Sequence, residues 1–387
     1  MRILMLDNEF PPLGGGMGTA NEALLRRFAQ RPGLEIDLIT SALGGRLESE
    51  QFAERIRIFK LPVWNRNIHH STNRELLAYA AQALPVALRF HRRHGYDCCF
   101  AWSALPAGGV ALALYRRVGL PYMVWVSGPD IPGFERRYRW IYPILTPAIR
   151  AIWRHAAPVI AKCADEIEMI RAVDRTIDTT YIPNGTDLNV FQPGPPLPDA
   201  GPLHVICVAR LIERKGQHHL IEAVRRLAND GVDVILSLVG TGDSQPAYEA
   251  QARALGVESR VRFAGYVARK AIPACYATAH VFALPSYNEG MSVAVLEAMA
   301  AGLPVVVTRT GGTEELVEEG VNGFTHTWAD VDTLATHLRR LATDRALARR
   351  MGAQSRWRAG QFSWDTIAEQ YLDLFASMIP NALMRAH

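Results

Sequence analysis

Two glutamates eight residues apart, Glu289 and Glu297, frame the run of this chain best suited to chemistry: Pro285-Ser286-Tyr287-Asn288-Glu289-Gly290-Met291-Ser292. The run follows an apolar, strand-like segment and opens a helical one. Backbone N–H groups at a helix start lack intrahelical partners and carry the positive end of the dipole, so they attract phosphate. Gly290, followed by Met291 and Ser292, lets backbone approach a ligand without a Cβ clash. Ionised carboxylates accept several hydrogen bonds each. They suit sugar and ribose hydroxyls at the two ends of an elongated ligand with a diphosphate between them. Taken alone, the pair equally reads as a carboxylate near a helix dipole plus an exposed helix glutamate.

Upstream, a strand pattern ending at Ala209 runs into Arg210, Glu213, Arg214, Lys215 and Gly216. Arg210 and Lys215 at a strand end can neutralise a diphosphate and the charge it gains on leaving; a solvated basic turn is the plainer alternative. Gly240-Thr241-Gly242 and Gly265-Tyr266-Val267 follow two further strands and can bring backbone close to a nucleotide. Near the start, Pro11-Pro12-Leu13-Gly14-Gly15-Gly16-Met17-Gly18 can cradle a phosphate. It fails the dinucleotide pattern G-x-G-x-x-G, because Thr19 takes the third glycine position counted from Gly14. The one Asp-x-Asp, Asp330-Val331-Asp332, opens a late helix and reads as a cap, not a metal site.

These residues need elements to hold them. Arg2 to Leu6, Glu35 to Ile39, Asp97 to Ala101 and Tyr122 to Val126 read as strands, alternating with helices over 21–30, 73–91 and 107–118. The alternation predicts an α/β chain with parallel sheets covered on both faces. Phe191 to Pro202 carries five prolines and two glycines, which predicts a linker. After it, strands are predicted at 204–209, 234–239, 261–264, 281–284 and 305–308. The expected organisation is an N-terminal Rossmann-like acceptor-binding domain over 1–190, the linker at 191–202 and a C-terminal Rossmann-like donor-binding domain over 203–363. A helical segment over 364–387, helical in pattern from Trp364 to Met384, is expected to pack back on the first domain. Ligands of doubly wound folds bind at the carboxyl ends of the strands.

Combined and in this order, the motifs resemble glycosyltransferase family 4, whose E-x7-E signature lies within a group 1 glycosyl transferase domain. The match is Glu289-x7-Glu297 within PSYNEGMSVAVLEAMAAGLPVVVT, continued by GGTEELVEEGVNGF and preceded by VARLIERKG. It is strong from Tyr181 to Trp364 and weaker before. The resemblance implies a GT-B fold, two doubly wound Rossmann-like domains facing each other across a cleft. It implies a retaining, metal-independent transferase that moves a sugar from a nucleoside-diphosphate sugar to a hydroxyl of a glycan, lipid-linked or small-molecule acceptor. A UDP-sugar is favoured over GDP-mannose, and no cofactor is expected. Arg210 and Lys215 would hold the diphosphate, Glu297 the ribose and backbone near Val267 the base. Glu289 would contact the transferred sugar and stabilise its oxocarbenium-like state. Gly15 and Gly16 match the family's PP-x-x-GG loop, and Asn184 opens its NG-x-D hinge. Where many members carry His-Gly-x-Asp, this chain reads Ser127-Gly128-Pro129-Asp130, so no catalytic histidine carries over. Ser127 and Asp130 are candidates for sugar or acceptor contacts. The same architecture would also suit a nucleotide-sugar epimerase or hydrolase, or a non-catalytic sugar-binding subunit.

Composition bounds the rest. Of the 387 residues, 49% are hydrophobic and 21% charged, as in soluble two-domain proteins. The start reads as a strand rather than a signal peptide, and no apolar run approaches the ~18 residues of a membrane span, so a cytoplasmic location is expected. Five scattered cysteines read as buried small hydrophobes. Residues 1–180 hold 23 Lys and Arg against 17 Asp and Glu, yet no nucleic-acid motif accompanies them. Phe134 to His155 mixes aromatics with Arg136, Arg137, Arg139, Arg150 and Arg154, a pattern suited to an anionic membrane at the inner face of the cell. Pro143 and Pro147 are expected to break that helix.

Overall fold

The computed structural model describes residues 1–65 and 71–379, so the end of the expected Trp364 to Met384 helix and the side chain of Arg137 lie outside the described residues. The chain divides into two compact units: Met1–Asn184 with the chain from Trp364 onward, and Gly185–Ser363.

In the first unit, β1 (Arg2–Leu6), β2 (Glu35–Leu43), β3 (Glu48–Ala53), β4 (Ile56–Asn65), β5 (Cys98–Ala101), β6 (Tyr122–Trp125), β7 (Val159–Ala161) and β8 (Thr179–Tyr181) form one sheet. Its order is β3-β4-β2-β1-β5-β6-β7-β8. All pairings are parallel except β3 with β4. The helices are α1 (Gly16–Phe28), α2 (Asn73–His94), α3 (Gly109–Val118), α4 (Tyr142–His155) and α5 (Ala164–Val173). An unbroken apolar run such as Ile-Leu-Met-Leu in β1 is what a parallel strand covered on both faces requires. Ile3 and Met5 enter one core, Leu4 and Leu6 the other.

The second unit holds β9 (Leu203–Val208), β10 (Val234–Val239), β11 (Val261–Gly265), β12 (Val281–Leu284), β13 (Val305–Thr308) and β14 (Gly323–His326), in the parallel order β11-β10-β9-β12-β13-β14. Its helices are α6 (Gln217–Asn229), α7 (Gln245–Ala254), α8 (Ile272–Tyr276), α9 (Val293–Ala300), α10 (Thr313–Leu316), α11 (Val331–Thr343) and α12 (Arg345–Ala359). The last helix, α13 (Trp364–Ser377), belongs to the first unit. Phe375 meets Phe28 edge-on at 5.6 Å between ring centroids, and Tyr371 lies 5.5 Å from Phe100.

Several elements differ from the sequence reading. The glycine-rich turn ends sooner than expected, because α1 begins at Gly16 rather than Asn21. The second unit begins at Gly185, ahead of the proline-rich run. Phe191 in that run is only 1% exposed, and a Cβ on Gly194 would stand 2.8 Å from that of Ala277. Burying an aromatic ring outweighs the looseness that the prolines suggest. Helix α4 is continuous despite its prolines. Pro143 sits in the first turn, where its missing N–H is not needed, and both prolines face solvent. Asp330 is the N-cap of α11, its carboxylate accepting the Thr333 N–H at 3.0 Å.

Candidate functional site

In the second unit, the residues singled out on chemical grounds meet at the carboxyl ends of β9 and β12. The loop after β9 reaches the loop after β12 because Gly216, at φ +70°, leaves room for it. A Cβ there would stand 2.0 Å from the Pro285 carbonyl oxygen. The Tyr287 N–H donates to the Arg214 carbonyl at 2.7 Å, and Arg214 Nη1 donates to the Asn288 carbonyl at 3.1 Å. Locked in this way, Lys215 Nζ lies 2.5 Å from Glu289 Oε1. Burial works against the charge on Glu289, but Lys215 and Arg214 outweigh it and hold its pKa below the usual glutamate value. Glu289 is thus favoured as a carboxylate, with the Lys215 amine beside it.

Gly290 and Met291 lead from this pair into α9, whose N-cap, Ser292, makes no side-chain capping bond. First-turn amides lack intrahelical partners and can donate to a ligand. A small hollow beside them is lined by Glu289, Ser292, Thr308, Thr310, Gly312 and Thr313. Gly312 permits its wall: at φ +72°, its Cβ would meet the Gly290 carbonyl oxygen at 2.5 Å.

Glu297, the second glutamate, is buried in α9 and faces a different set of groups. Arg269 Nη1 pairs with its Oε1, and the Tyr276 hydroxyl lies 3.2 Å from its Oε2. Burial raises its pKa, against the opposing pull of Arg269. Arg269 follows closely on Val267, itself packed against the core. Neither Arg269 nor Tyr276 was legible as a site residue, because their partner lies 28 and 21 residues away and no local pattern marks the pairing. Arg210 is exposed at the start of the loop after β9, its carbonyl accepting from Gln217 at 2.9 Å. Gly240 also packs closely within the protein. Its Cβ would stand 2.2 Å from the Ala209 carbonyl oxygen, so glycine is what lets these two loops touch.

The first unit places its candidates at the carboxyl ends of β1 and β6. Gly15 is the N-cap of α1 and Gly16 its first residue; a Cβ on Gly15 would meet no protein atom within 4 Å. The turn rests on Asp7, fully buried, which accepts from Asn21 Nδ2 at 2.7 Å and from the Glu9 N–H at 2.9 Å. Ser127 opens a short turn over Gly128–Asp130, and its N–H and hydroxyl both donate to Asp130 Oδ2 at 2.9 Å. Asp130 is itself buried and also accepts the Leu105 N–H at 3.4 Å. Ser127 thus caps the turn at the place where many family members carry histidine, and Asp130 ties two loops together. Asn184, also buried, ends the unit.

Below that turn lies a pair that the sequence did not reveal. Lys162, after β7, donates to the Val126 carbonyl at 2.5 Å and pairs with Glu166 at 2.8 Å. Its ammonium stands 4.1 Å over the Trp125 ring.

Burial pushes the Asp7 carboxyl well above its ordinary value of 3.8. A carboxyl that stays protonated in the folded state gives stability that is lost as pH rises from its unfolded value towards its raised folded value. Asp7→Asn should therefore stabilise the fold at neutral pH and flatten the fall in Tm between acid and neutral solution. Differential scanning calorimetry across that range checks this; a lower Tm for the variant at neutral pH would show that the charged form is the native one.

The architecture is that of two-domain GT-B transferases. The chain superposes on sucrose-phosphate synthase from Thermosynechococcus elongatus with a TM-score of 0.85 at 23% identity, covering 98% of this chain and 99% of that one. It superposes on Anabaena HepE in complex with UDP and glucose with a TM-score of 0.77 at 26% identity, covering 97% and 100%. Residues 15–185 match the glycosyl transferase 4-like domain, and residues 192–358 match glycosyl transferases group 1. Among curated relatives, a GDP-mannose-dependent alpha-(1-6)-phosphatidylinositol monomannoside mannosyltransferase of Mycobacterium tuberculosis is 27% identical over 96% of this chain and 97% of its own length. The chain belongs to glycosyltransferase family 4 and is a glycosyltransferase. Among the described residues, no helix is long and apolar enough to cross a membrane.

Proposed function

We propose that this protein transfers a hexose from a nucleoside-diphosphate sugar to a hydroxyl of a glycan, lipid-linked or small-molecule acceptor, with retention and without a metal, at the cytoplasmic face of the membrane. The observation that carries the reading is the Lys215–Glu289 pair beside the open N-terminus of α9. Lys215, with Arg210 and Arg214 on the same loop, offers cations where a leaving diphosphate gains charge, so no metal is called on to neutralise it. The first-turn amides of α9 add hydrogen bonds to the same phosphates. Glu289, kept ionised by Lys215, stabilises positive charge growing on the sugar ring. Glu297, held by Arg269 and Tyr276, is positioned for ribose hydroxyls. Asp330, the head of the one Asp-x-Asp, is engaged as a helix cap, in keeping with metal-free chemistry. Relatives named for GDP-mannose and a neighbour holding UDP and glucose support a nucleotide-sugar donor; a UDP-sugar is our first choice and GDP-mannose the second.

A thermal-shift screen of UDP, GDP, ADP, TDP and CDP and their sugar conjugates, with and without EDTA, tests this. A donor at a hundredfold its dissociation constant stabilises the fold by about 2.7 kcal/mol. The expected result is a shift with one base that persists in EDTA; a shift that EDTA abolishes would overturn the metal-free reading. The anomeric configuration of the product, read by NMR, decides retention.

A further inference from the structure

The first unit carries an exposed apolar patch that its own fold leaves uncovered. Trp140 and Ile144 are each 76% exposed and Ile141 42%, at the N-terminal end of α4. The opposite side of the helix is fully engaged, with Ile149, Ile152 and Trp153 buried in the core. A tryptophan in the turn just before the helix and an isoleucine in its first turn, both exposed, cost free energy in water unless something covers them.

The surroundings say what. Arg136 and Arg139 are exposed beside the patch, and the Arg139 guanidinium stacks 4.8 Å from the Trp140 ring centroid. At the other end of the helix, His155 lies 5.8 Å from the exposed Tyr115, which leads into exposed Arg116 and Arg117. From Arg136 to His155 the sequence has no acidic residue. The nearest acid along the chain, Glu135, is buried, and Asp174 is taken up by Arg150 and Arg154. Prolines 143 and 147 face outward as well, leaving a surface of rings and short apolar groups with a basic rim.

We infer that this face of α4 seats the protein on an anionic lipid surface, with Trp140, Ile141 and Ile144 entering the interface and Arg136 and Arg139 at the headgroups. Aromatic and branched apolar side chains bracketed by arginines match a surface that is negative outside and apolar just beneath. A second copy of this chain fits less well. Two such faces would set arginines against arginines, and three side chains fall short of the ~800 Å² per partner that a stable interface buries. The inference does not rest on the donor chemistry, and its test contains no sugar nucleotide, so either can fail alone.

The test is co-sedimentation of the full-length protein with vesicles of pure phosphatidylcholine or of phosphatidylcholine with about a third phosphatidylglycerol. Binding is expected to the anionic vesicles only, weakening in high salt as the arginine attraction is screened. The double substitution Trp140→Ser, Ile144→Ser should weaken it roughly tenfold, and Arg136→Gln with Arg139→Gln should remove the preference for anionic lipid. Trp357→Ser, at an exposed tryptophan of the second unit, should leave binding unchanged, and circular dichroism should show every variant folded. Wild type that ignores anionic vesicles overturns the inference, as does binding that the Trp140/Ile144 variant retains. A concentration-dependent dimer in sedimentation equilibrium, lost in that variant and unaccompanied by vesicle binding, would assign the patch to self-association instead.

Discussion

Lys215→Ala is expected to lower kcat/KM by about a hundredfold or more, the scale on which transition-state electrostatics operate in a partly enclosed site. Two effects combine. The leaving diphosphate loses the cation nearest to Glu289, and Glu289 loses the partner that holds its pKa down against burial. The second effect has a sign. A depressed carboxylate contributes from above its unfolded value and loses that contribution as pH falls through its folded pKa. With Lys215 gone, burial dominates, the Glu289 pKa rises, and the acid limb of the pH–rate profile moves to higher pH. Lys215→Arg keeps a cation and should restore the position of that limb while leaving part of the rate defect, because a planar guanidinium does not fit where an ammonium does. Glu289→Gln should lower kcat with little change in donor KM, since the carboxylate works on charge that develops during transfer. Near-wild-type kcat/KM in both Lys215→Ala and Glu289→Gln, on the true substrates, would remove the pair from the site.

Lys162→Ala is expected to produce the largest loss of stability. Lys162 and Glu166 have side chains 5% and 1% exposed, so removing the ammonium leaves a carboxylate in the interior with its chief partner gone. Breaking such a buried pair costs about 3–5 kcal/mol, which for a unit of this size corresponds to a fall in Tm of roughly 10 °C. The Val126 carbonyl also loses its donor, which loosens the strand end that presents Ser127. Replacing both partners with apolar residues, Lys162→Met with Glu166→Leu, should recover most of the loss, because no charge is then stranded. Thermal denaturation of the two single variants and the double variant forms a cycle. Independent, additive losses would mean that the two residues do not stabilise each other.

These two pairs mark the boundary between what could be read along the chain and what could not. Several strands covered on both faces were legible, as at Arg2–Leu6, Val234–Val239, Val281–Leu284 and Val305–Thr308, because double burial favours a largely apolar run. Other strands were silent, β4 and β14 among them. β3 is a polar, exposed edge strand, and β7 and β8 are three residues each, too short to carry a period. Helix α4 was misread at its prolines, since only the fold shows that both lie on the solvent side, where a missing N–H costs little.

For the site, residue type and spacing by themselves determined the E-x7-E frame, the basic loop ahead of it and the glycine-rich turn after the first strand, because local backbone geometry demands particular residues at particular offsets. Tertiary structure alone decided the partners. Lys215 reaches Glu289 across 74 residues and Arg269 reaches Glu297 across 28, while Lys162 supports a carbonyl 36 residues away. It also decided their packing: Gly240 lies against the Ala209 carbonyl, and Asp130 bonds its own turn and Leu105. The reason is physical. A strand, a turn or a helix start is governed by neighbours in sequence, whereas a charge pair is governed by burial and by which strand ends the sheet order brings together.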